Sequence, residues 1–454
     1  MRPAPTDGWI LAGTVDGVAA YPPLTEDVAG LPHVLRLACD LAVAGVRRIA
    51  VVWSGPEPVP DLAAILADRR LTSRASISVV TTPPAADAGE PVVVVRADRV
   101  CHRDLPKRAI AAWQAATAPV AKVAGDRHDA VVVVDHAMAL RLAAAALTRG
   151  GLATALAAAE VATAEPPYLA FTMAVTDRRT LRRAERQLVW SLRKQADGLA
   201  ATLINRHLSL PVTWLLRRTP VHPNHVTVFC FALAVVGGVV IARGGWAAGV
   251  IGMLLVELGS IFDGVDGELA RLKFRFARLG QWLDTLADDF GNVAYVSGIT
   301  VALHAAGVAW AAPVGISALV CFAITQCTQY FLITVVYRSG DLAAIPWAFQ
   351  SAEFLSSRPT GFLARLKATV PRMGKRDFAV TVFLGFAILG RLDWILVGFS
   401  AGAVSFFVVF WIQFFRNLGA VRSAWAARSA AGQRPAGGSG LEAQRADLVD
   451  GRSR

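Results

Sequence analysis

The distribution of apolar residues divides the chain into two parts at about residue 218. Before that point, apolar segments are short and alternate with polar ones. Beyond it come long apolar runs, each near the length needed to cross a bilayer. These runs predict six transmembrane helices, near 224–242, 246–262, 283–304, 309–337, 378–390 and 394–415.

The first part of the chain carries strand-like and helix-like segments in alternation. Runs rich in β-branched residues indicate buried strands at 47–53, 76–80, 91–95 and 129–135. Ala- and Leu-rich segments of helical length lie between these runs. This order predicts a cytoplasmic α/β domain with a mostly parallel sheet.

Two helices are predicted between this domain and the first membrane run. Residues 178–195 have a basic amphipathic pattern. Residues 199–218 mix Leu, Ile and Trp with Arg and His, interrupted by Pro211, which suits a helix in the headgroup layer or an ordinary linker helix. From about residue 428, Gly, Ala and Arg without periodicity predict disorder. The predicted division is an α/β domain at 1–195, a juxtamembrane helix at 196–222, a six-helix membrane domain at 223–418 and a cytoplasmic tail at 419–454.

Charge fixes the expected orientation. Lys and Arg outnumber Asp and Glu by 46 to 34, a net charge of +12. Most basic residues of the second part lie on one side of the predicted bundle, and only Arg243 and Arg391 lie on the other. By the positive-inside rule, both termini and the basic side face the cytoplasm. Topology and anionic headgroups therefore account for the basic excess, and nucleic-acid binding is not expected without a fold signature for it. The five Cys lack the paired spacing of a disulfide framework or a zinc site.

The stretch "DGVDGELARLKFRFARLGQWLDTLADD", residues 263–289, concentrates carboxylates in an apolar region. Asp263 and Asp266 are three residues apart, and Asp284 and Asp288 are four apart, so each pair shares a helix face. Two antiparallel helices joined by the intervening basic turn would bring the four acids together. Glu268 and Asp289 fall outside this spacing, and we interpret them as solvated or paired neighbours.

Clustered carboxylates repel one another unless a cation compensates them. An all-oxygen site favours Mg²⁺ or Mn²⁺. Gly267 and Gly280 leave room for a ligand or a neighbouring helix, and Arg271 is suited to bidentate binding of a phosphate. These features favour phosphoryl-type transfer. The alternative is a set of surface acids paired with the adjacent Lys and Arg.

The full pattern resembles a known family. Asp263-x-x-Asp266-Gly267-x-x-Ala270-Arg271, then eight residues, then Gly280-x-x-x-Asp284-x-x-x-Asp288 is similar to the signature of CDP-alcohol phosphotransferases. The resemblance covers roughly residues 200–415. It implies six transmembrane helices, a homodimer and a divalent-metal site for two ions. It also implies transfer of a substituted phosphate from a CDP-alcohol to an acceptor hydroxyl, with release of CMP.

The resemblance also implies residue roles. The metal ligands would be Asp263, Asp266, Asp284 and Asp288, of which Asp288 would also be the general base. The cytidine diphosphate site would include Asp266, Gly267, Ala270, Arg271, Gly280, Asn224 and Thr227. For "TPVHPNHVT" (219–227) the alternative is a capped helix start with Pro at its first position. Lys375 and Arg376 either bind an acceptor phosphate or only follow the positive-inside rule. Glu257, inside the second predicted helix, is expected to be hydrogen-bonded or to face a polar cavity.

The first 195 residues resemble the nucleotidyltransferase domain of bifunctional enzymes that make CDP-inositol and then di-inositol phosphate phosphate. "WILAGTVDGVAAYPPL" stands where those domains have a phosphate loop, and Asp98 stands where they have a metal-binding Asp. The loop lacks the Gly run ending in Arg, Leu31 replaces the usual Lys, and Ala174 and Thr176 replace further acids. We therefore expect a domain that does not catalyse nucleotidyl transfer and instead binds a nucleotide, regulates, or aids dimerisation.

Three hypotheses follow. The first is a membrane CDP-alcohol phosphotransferase of phospholipid or inositol-phosphate polar lipid and solute synthesis. The second is a bifunctional enzyme whose α/β domain also makes the CDP-alcohol from CTP. The third is a catalytically silent membrane scaffold. The sequence does not distinguish among inositol phosphate, glycerol phosphate and a lipid hydroxyl as acceptor.

Overall fold

A computed structural model of the protein describes residues 2–85, 90–124, 129–157, 159–195, 197–276, 278–337, 345 and 376–432. The described strands are β1 (Asp7–Val15), β2 (Val18–Ala19), β3 (Asp27–Val28), β4 (Leu31–Pro32), β5 (Arg48–Ser54), β6 (Ser76–Val80), β7 (Pro91–Arg96), β8 (Arg99–Cys101), β9 (Val120–Val123), β10 (Val131–Asp135), β11 (Val161–Ala164) and β12 (Thr172–Ala174). The helices between and after them are α1 (His33–Val43), α2 (Ala63–Leu66), α3 (Arg69–Thr72), α4 (Leu105–Ala115), α5 (His136–Ala145), α6 (Gly151–Ala157) and α7 (Arg178–Trp190).

The main sheet has the strand order β11-β9-β10-β7-β1-β5-β6, with β2 paired to β1. The four predicted strands are all present, as β5, β6, β7 and β10. Strands β7, β1, β5 and β6 are parallel, whereas β10 runs antiparallel to both of its neighbours. The sheet is therefore mixed. A continuous apolar run indicates burial on both faces of a strand and carries no information on its direction.

Helices cover both faces of this sheet. Successive residues of β1 point to opposite faces, so Ile10 joins the core under α1 and α4 while Leu11 joins the core under α5 and α6. Both side chains are buried, and the same alternation holds in β7. The α/β region thus has a core of its own on each side of the sheet.

All six apolar runs are helical in the described part of the chain. They are preceded by α8, which begins as a π-helical turn at Ala201–Asn205 and continues over Arg206–Leu216. The helices that follow are α9 (Pro223–Ile241), α10 (Trp246–Leu272), α11 (Arg278–Ala305), α12 (Ala311–Phe331, extended by a π-helical turn Leu332–Val336), α13 (Arg376–Ile388), α14 (Leu392–Arg416) and α15 (Leu418–Gly432). Pro211 lies inside α8 without ending it.

Four of these helices are long and apolar enough to cross a membrane, namely α9, α10, α12 with its π-helical extension, and α14. Helix α11 carries three Asp in its first half, and the 13 residues of α13 fall short of the roughly 20 that a bilayer requires. The structure therefore supports a membrane-embedded helical region, and the count of six spans is not confirmed by helix length and composition.

Close helix packing places α10 and α11 around α9. Helix α9 packs against both, and α10 also packs against α13 and α8. A Cβ added at Gly238 of α9 would lie 2.4 Å from the carbonyl oxygen of Ala294, and one at Gly298 of α11 would lie 2.2 Å from that of Gly238. Side chains at these positions would force the two helices apart.

The turn after α10 joins the membrane helices to the α/β region. Phe274 in this turn is buried in the sheet core under α1, with the Arg36 guanidinium 5.7 Å from its ring centroid. Arg70 donates to the carbonyl oxygen of Lys273 at 3.2 Å. The Lys273 ammonium in turn donates to carbonyl oxygens of Leu216, Thr219 and Val221 in the segment between α8 and α9. The basic residues of this turn therefore make tertiary contacts, in addition to contributing to the charge bias from which the orientation was predicted.

Candidate active site

Three of the four predicted acids meet where α10 and α11 lie side by side. Carboxylate oxygens of Asp263, Asp284 and Asp288 lie within 4.8 Å of one another. The i, i+4 spacing on α11 gives Asp284 and Asp288 one face, and that face is turned toward Asp263 of α10. Three hard oxygen donors at this separation fit a divalent cation such as Mg²⁺ or Mn²⁺.

Asp266, the fourth predicted acid, is not part of this group of three. Its Oδ2 accepts a hydrogen bond of 2.5 Å from the hydroxyl of Thr227 in α9, and both side chains are buried. Thr227, predicted on the nucleotide side, therefore contacts the motif directly. Thr227 thus binds one of the two carboxylate oxygens, Oδ2, and fixes the orientation of the Asp266 carboxylate.

Arg376, at the start of α13, supplies a guanidinium beside the carboxylates. Its Nη1 donates to Oδ1 of Asp288, and its Nε donates to Oδ1 of Asn292 at 3.3 Å. Asn292 was not identified from the sequence, although it lies one helical turn beyond Asp288 on the same face of α11. Lys375 lies outside the described residues.

A cavity of about 340 Å³ opens onto these side chains. One wall carries Asp263, Asp288 and Arg376, and the other comes from the segment that leads into α8 and from α8 itself. The backbone N–H of Ala201, at the π-helical turn, donates to Oδ2 of Asp377 at 2.8 Å, which holds α8 against α13. Helix α8 therefore shapes the cavity beside the carboxylates.

The remaining predicted nucleotide residues of α10 and α11 lie near the turn that joins these two helices. A Cβ at Gly267 would lie 3.0 Å from Nη1 of Arg271, so this glycine gives the guanidinium its room. Arg271 also donates from Nη2 to the carbonyl oxygen of Leu192 at 3.1 Å. Ala270 lies between these two positions on α10, and Gly280 lies in the first turn of α11.

The segment before α9 has the geometry of a helix cap. Pro223 is the first residue of the helix, and the backbone N–H of Asn224 donates to Nδ1 of His222 at 3.3 Å. The capping interpretation of this segment is thus confirmed. It accounts for Pro223 and His222, while Thr227 has the separate contact with Asp266 described above.

Glu268 is the main polar residue that the sequence did not explain. It is 0% exposed and accepts hydrogen bonds from Arg206 Nη1 (2.6 Å), Ser209 Oγ (2.8 Å) and Thr213 Oγ1 (2.5 Å) of α8. Of the two interpretations given for it, solvated or paired, the structure supports the paired one, and Glu268 is the buried anchor of α8 on α10. Local spacing carries no signal for these contacts, because the partners lie more than 50 residues away in the sequence.

Arg206 also pairs with Asp197 at the other end of its guanidinium. Asp197 accepts from Nε at 2.9 Å and from Nη2 at 2.8 Å, a bidentate arrangement. Burial alone would raise the pKa of Asp197, but the hydrogen bonds and charge of Arg206 outweigh it and hold the pKa below its usual value. The pair therefore remains ionised at neutral pH.

Two further acids have partners of their own. Asp289 accepts hydrogen bonds from Gln326 (2.5 Å) and from the hydroxyl of Tyr330, both in α12. It thus points away from the neighbouring Asp288 group, as a paired residue. Glu257 accepts a 2.9 Å hydrogen bond from the hydroxyl of Thr381, which confirms the prediction that it is hydrogen-bonded within the bundle.

In the α/β region, the acid at the position predicted to bind a metal, Asp98, is already paired with arginine side chains. Asp98 accepts hydrogen bonds from Arg96 at 3.0 and 2.9 Å, and its Oδ2 lies 3.3 Å from Nε of Arg99. Asp16 lies 3.6 Å from Arg96 on the other side. A guanidinium thus compensates the two acids without any metal, so these residues do not fit a divalent ion.

Comparison with known proteins finds similarity in the helical region. Residues 220–351 match the family model of CDP-alcohol phosphatidyltransferases. This range includes the whole carboxylate motif, from Asp263 to Asp288. The chain is 36% identical over 126 residues to the bifunctional IPC transferase and DIPP synthase of Thermococcus kodakarensis, covering 28% of this chain and 27% of that protein. Proteins of the same name from Aquifex aeolicus (28% over 135 residues) and Rubrobacter xylanophilus (34% over 123) also match. The Aquifex match covers 29% of this chain and 30% of the relative, and the Rubrobacter match covers 27% of this chain and 27% of the relative. Each match therefore spans less than a third of the relative's length.

Proposed function

We propose, from the match of residues 220–351 to CDP-alcohol phosphatidyltransferases, that this protein is a membrane CDP-alcohol phosphotransferase. It moves a substituted phosphate from a CDP-alcohol to an acceptor hydroxyl and releases CMP. One observation carries the proposal: Asp263, Asp284 and Asp288 converge within the matched segment, and two of them, Asp263 and Asp288, line a cavity together with Arg376. Surface acids paired only with neighbouring bases would not share such a cavity.

In this proposal Asp263, Asp284 and Asp288, with Asp266, hold one or two divalent ions. When bound, such ions supply the positive charge that stabilises a leaving pyrophosphate oxygen. The acceptor oxygen attacks the phosphorus that carries the donor alcohol, and the bond from that phosphorus to the CMP oxygen breaks with its electron pair. Asp288 takes the proton of the attacking hydroxyl, while Gly267, Ala270, Arg271, Asn224 and Gly280 surround the nucleotide. Arg376 donates a hydrogen bond to Asp288 and lies where it can contact an acceptor phosphate.

We propose for the same reasons a homodimer with six membrane spans, in which both termini and the active site face the cytoplasm. The division at 1–195, 196–222, 223–418 and 419–454 belongs to this proposal. The distribution of Arg and Lys supports the orientation, and the exposed apolar residues of α8 support a juxtamembrane helix in the headgroup layer.

The substrate class is tested directly. Inositol phosphates come first, because the relatives are named IPC transferase and DIPP synthase and because the α/β region resembles such fusions. Full-length protein in liposomes would be incubated with one of two donors, CDP-diacylglycerol or CDP-inositol. Each donor would be combined with inositol phosphate, glycerol phosphate or a lipid alcohol as acceptor, and the release of CMP would be measured. We expect acceptor-dependent CMP with one pair. Folded, metal-binding protein that releases no CMP with any pair would instead support the scaffold hypothesis.

Metal removal should abolish turnover and lower the unfolding temperature. Chelation leaves three carboxylates within 4.8 Å of one another with the single positive charge of Arg376 beside them, so they repel. CMP release should fall at least a hundredfold with EDTA and return with Mg²⁺ or Mn²⁺. The unfolding temperature, followed by tryptophan fluorescence with and without metal, gives a second readout. Asp284→Asn should remove most of the metal-induced rise in unfolding temperature, and an unchanged rise would contradict the proposed ligand set.

The α/β region is proposed not to make the CDP-alcohol, because Arg96 already neutralises Asp98 and Asp16. Full-length protein incubated with CTP, Mg²⁺ and inositol 1-phosphate or glycerol phosphate should release no pyrophosphate above background. An added active cytidylyltransferase controls for detection. Steady pyrophosphate release that requires the alcohol phosphate would establish the bifunctional alternative and leave the membrane reaction unaffected.

A further inference from the structure

A second charged cavity lies apart from the carboxylates, between α7 and the end of α8. Its volume is about 320 Å³, and it is lined by five Arg side chains together with Trp214, Leu181, Glu26 and Glu185. We call it the arginine cleft, formed by Arg178, Arg182, Arg186, Arg217 and Arg218. The proposed phosphotransfer uses none of these residues.

The cleft carries a surplus of positive charge. Arg218 pairs with Asp27 (3.0 Å) and Glu185 (3.1 Å), and Arg217 lies 3.6 Å from the ring centroid of Trp214. The other three, Arg178, Arg182 and Arg186, form no ion pair with any residue that the structure describes. They follow one another at four-residue spacing on one face of α7, where like charges repel. An anion bound among them would remove this repulsion.

The position of the cleft indicates where such an anion would come from. Helix α8 ends at Leu216, and the membrane-spanning helix α9 begins at Pro223. Along α8, Leu203, Leu208 and Leu215 are exposed, and Leu215, next to Trp214, is 73% exposed. A helix with exposed Leu residues, flanked by Trp and Arg, is suited to the headgroup level of a bilayer. Lipid phosphates would then lie at the height of the cleft.

We propose that the arginine cleft binds the phosphate of an anionic phospholipid from the surrounding bilayer. Guanidinium groups bind phosphate oxygens in bidentate pairs, and the acyl chains of the same lipid would cover exposed Leu215. A soluble phosphate ester offers the same phosphate but nothing to cover that side chain. The bound lipid would link α7 of the α/β region to the membrane surface and so hold the two parts of the chain in register.

The test compares lipid retention by matched variants of the full-length protein. Native mass spectrometry in neutral detergent would count retained phosphatidylglycerol, with zwitterionic phosphatidylcholine, whose net charge is zero, as the comparison. Removing three guanidiniums with Arg178→Gln/Arg182→Gln/Arg186→Gln should weaken phosphatidylglycerol binding roughly a hundredfold, at about fivefold for each basic residue. Arg179→Gln/Arg183→Gln removes exposed charge from the same helix outside the cleft and should change binding less than threefold.

Several outcomes would overturn the proposal. These are unchanged phosphatidylglycerol binding in the triple variant, an equal loss in the Arg179/Arg183 control, or displacement of the lipid by millimolar glycerol phosphate, which would mark a soluble-phosphate site. The unfolding temperature without lipid should be unchanged or higher in the triple variant, because repulsion is relieved. If that variant does not fold, Arg182→Gln alone should show the fivefold loss, and full retention there would equally contradict the site.

Discussion

Asp288→Asn should lower the rate of CMP release by about a thousandfold while leaving CDP-alcohol binding within a few-fold of wild type. An amide cannot accept the proton of the acceptor hydroxyl, and general-base catalysis contributes about 10²–10⁴-fold to such rates. The substitution also removes the negative charge opposite Arg376, whereas the amide oxygen at position 288 and Oδ1 of Asn292 can still accept its hydrogen bonds. Steady-state kinetics with equilibrium binding of the CDP-alcohol would separate the loss of turnover from a loss of affinity.

The adjacent acid provides the matched control. Asp289 has the same charge and lies on the same helix, but its carboxylate is hydrogen-bonded to Gln326 and Tyr330 of α12. Asp289→Asn should therefore keep the rate within about tenfold of wild type, with a moderate loss of stability. Equal losses in the two variants would indicate a general effect on α11, and full activity of Asp288→Asn would remove its assignment as base.

Glu268→Ala should have the largest effect on stability, a loss of about 3 kcal/mol or more. It leaves the Nη1 group of Arg206 and two hydroxyl groups of α8 buried without their acceptor, and breaking a buried ion pair from one side costs about 3–5 kcal/mol. The unfolding temperature in detergent is the direct measurement. Because α8 forms one wall of the cavity, the KM for substrate should rise as well.

A double-mutant cycle tests whether the Arg206–Glu268 pair is the cause of this loss of stability. Arg206→Ala in the Glu268→Ala background should cost at least 1 kcal/mol less than Arg206→Ala in wild type, because the two residues contact each other. As a control, Asp393→Ala breaks an exposed pair with Arg391 and should cost less than 1 kcal/mol. Additive effects of Arg206→Ala and Glu268→Ala would show that the buried network does not hold α8.

These predictions share a structural basis in the way the α/β region meets the membrane helices. The turn that joins α10 to α11 inserts Phe274 into the sheet core, and Lys273 fastens the segment between α8 and α9. The two helices that present the carboxylates are therefore connected by a turn held in the α/β region. A folded α/β region thus contributes to the position of the carboxylates even if it catalyses nothing.

The sequence by itself determined what depends on local periodicity. Helix spacing is enough to put Asp284 and Asp288 on one face, and the basic turn is enough to bring that face back to Asp263. Apolar run length likewise predicted all six helices, and the β-branched runs predicted four strands at nearly their observed bounds. Each of these features is decided by residues within a few turns of one another, so one sequence contains the information.

Only the tertiary structure decided which polar groups pair across long separations. Thr227 meets Asp266 from 39 residues away, Arg206 meets Glu268 from 62, and Arg376 meets Asp288 from 88. Such pairs depend on how whole helices pack, which no local pattern encodes. The same reason explains why the sequence left Glu268 as either solvated or paired, without its partners in α8, and why the direction of β10 was not predicted.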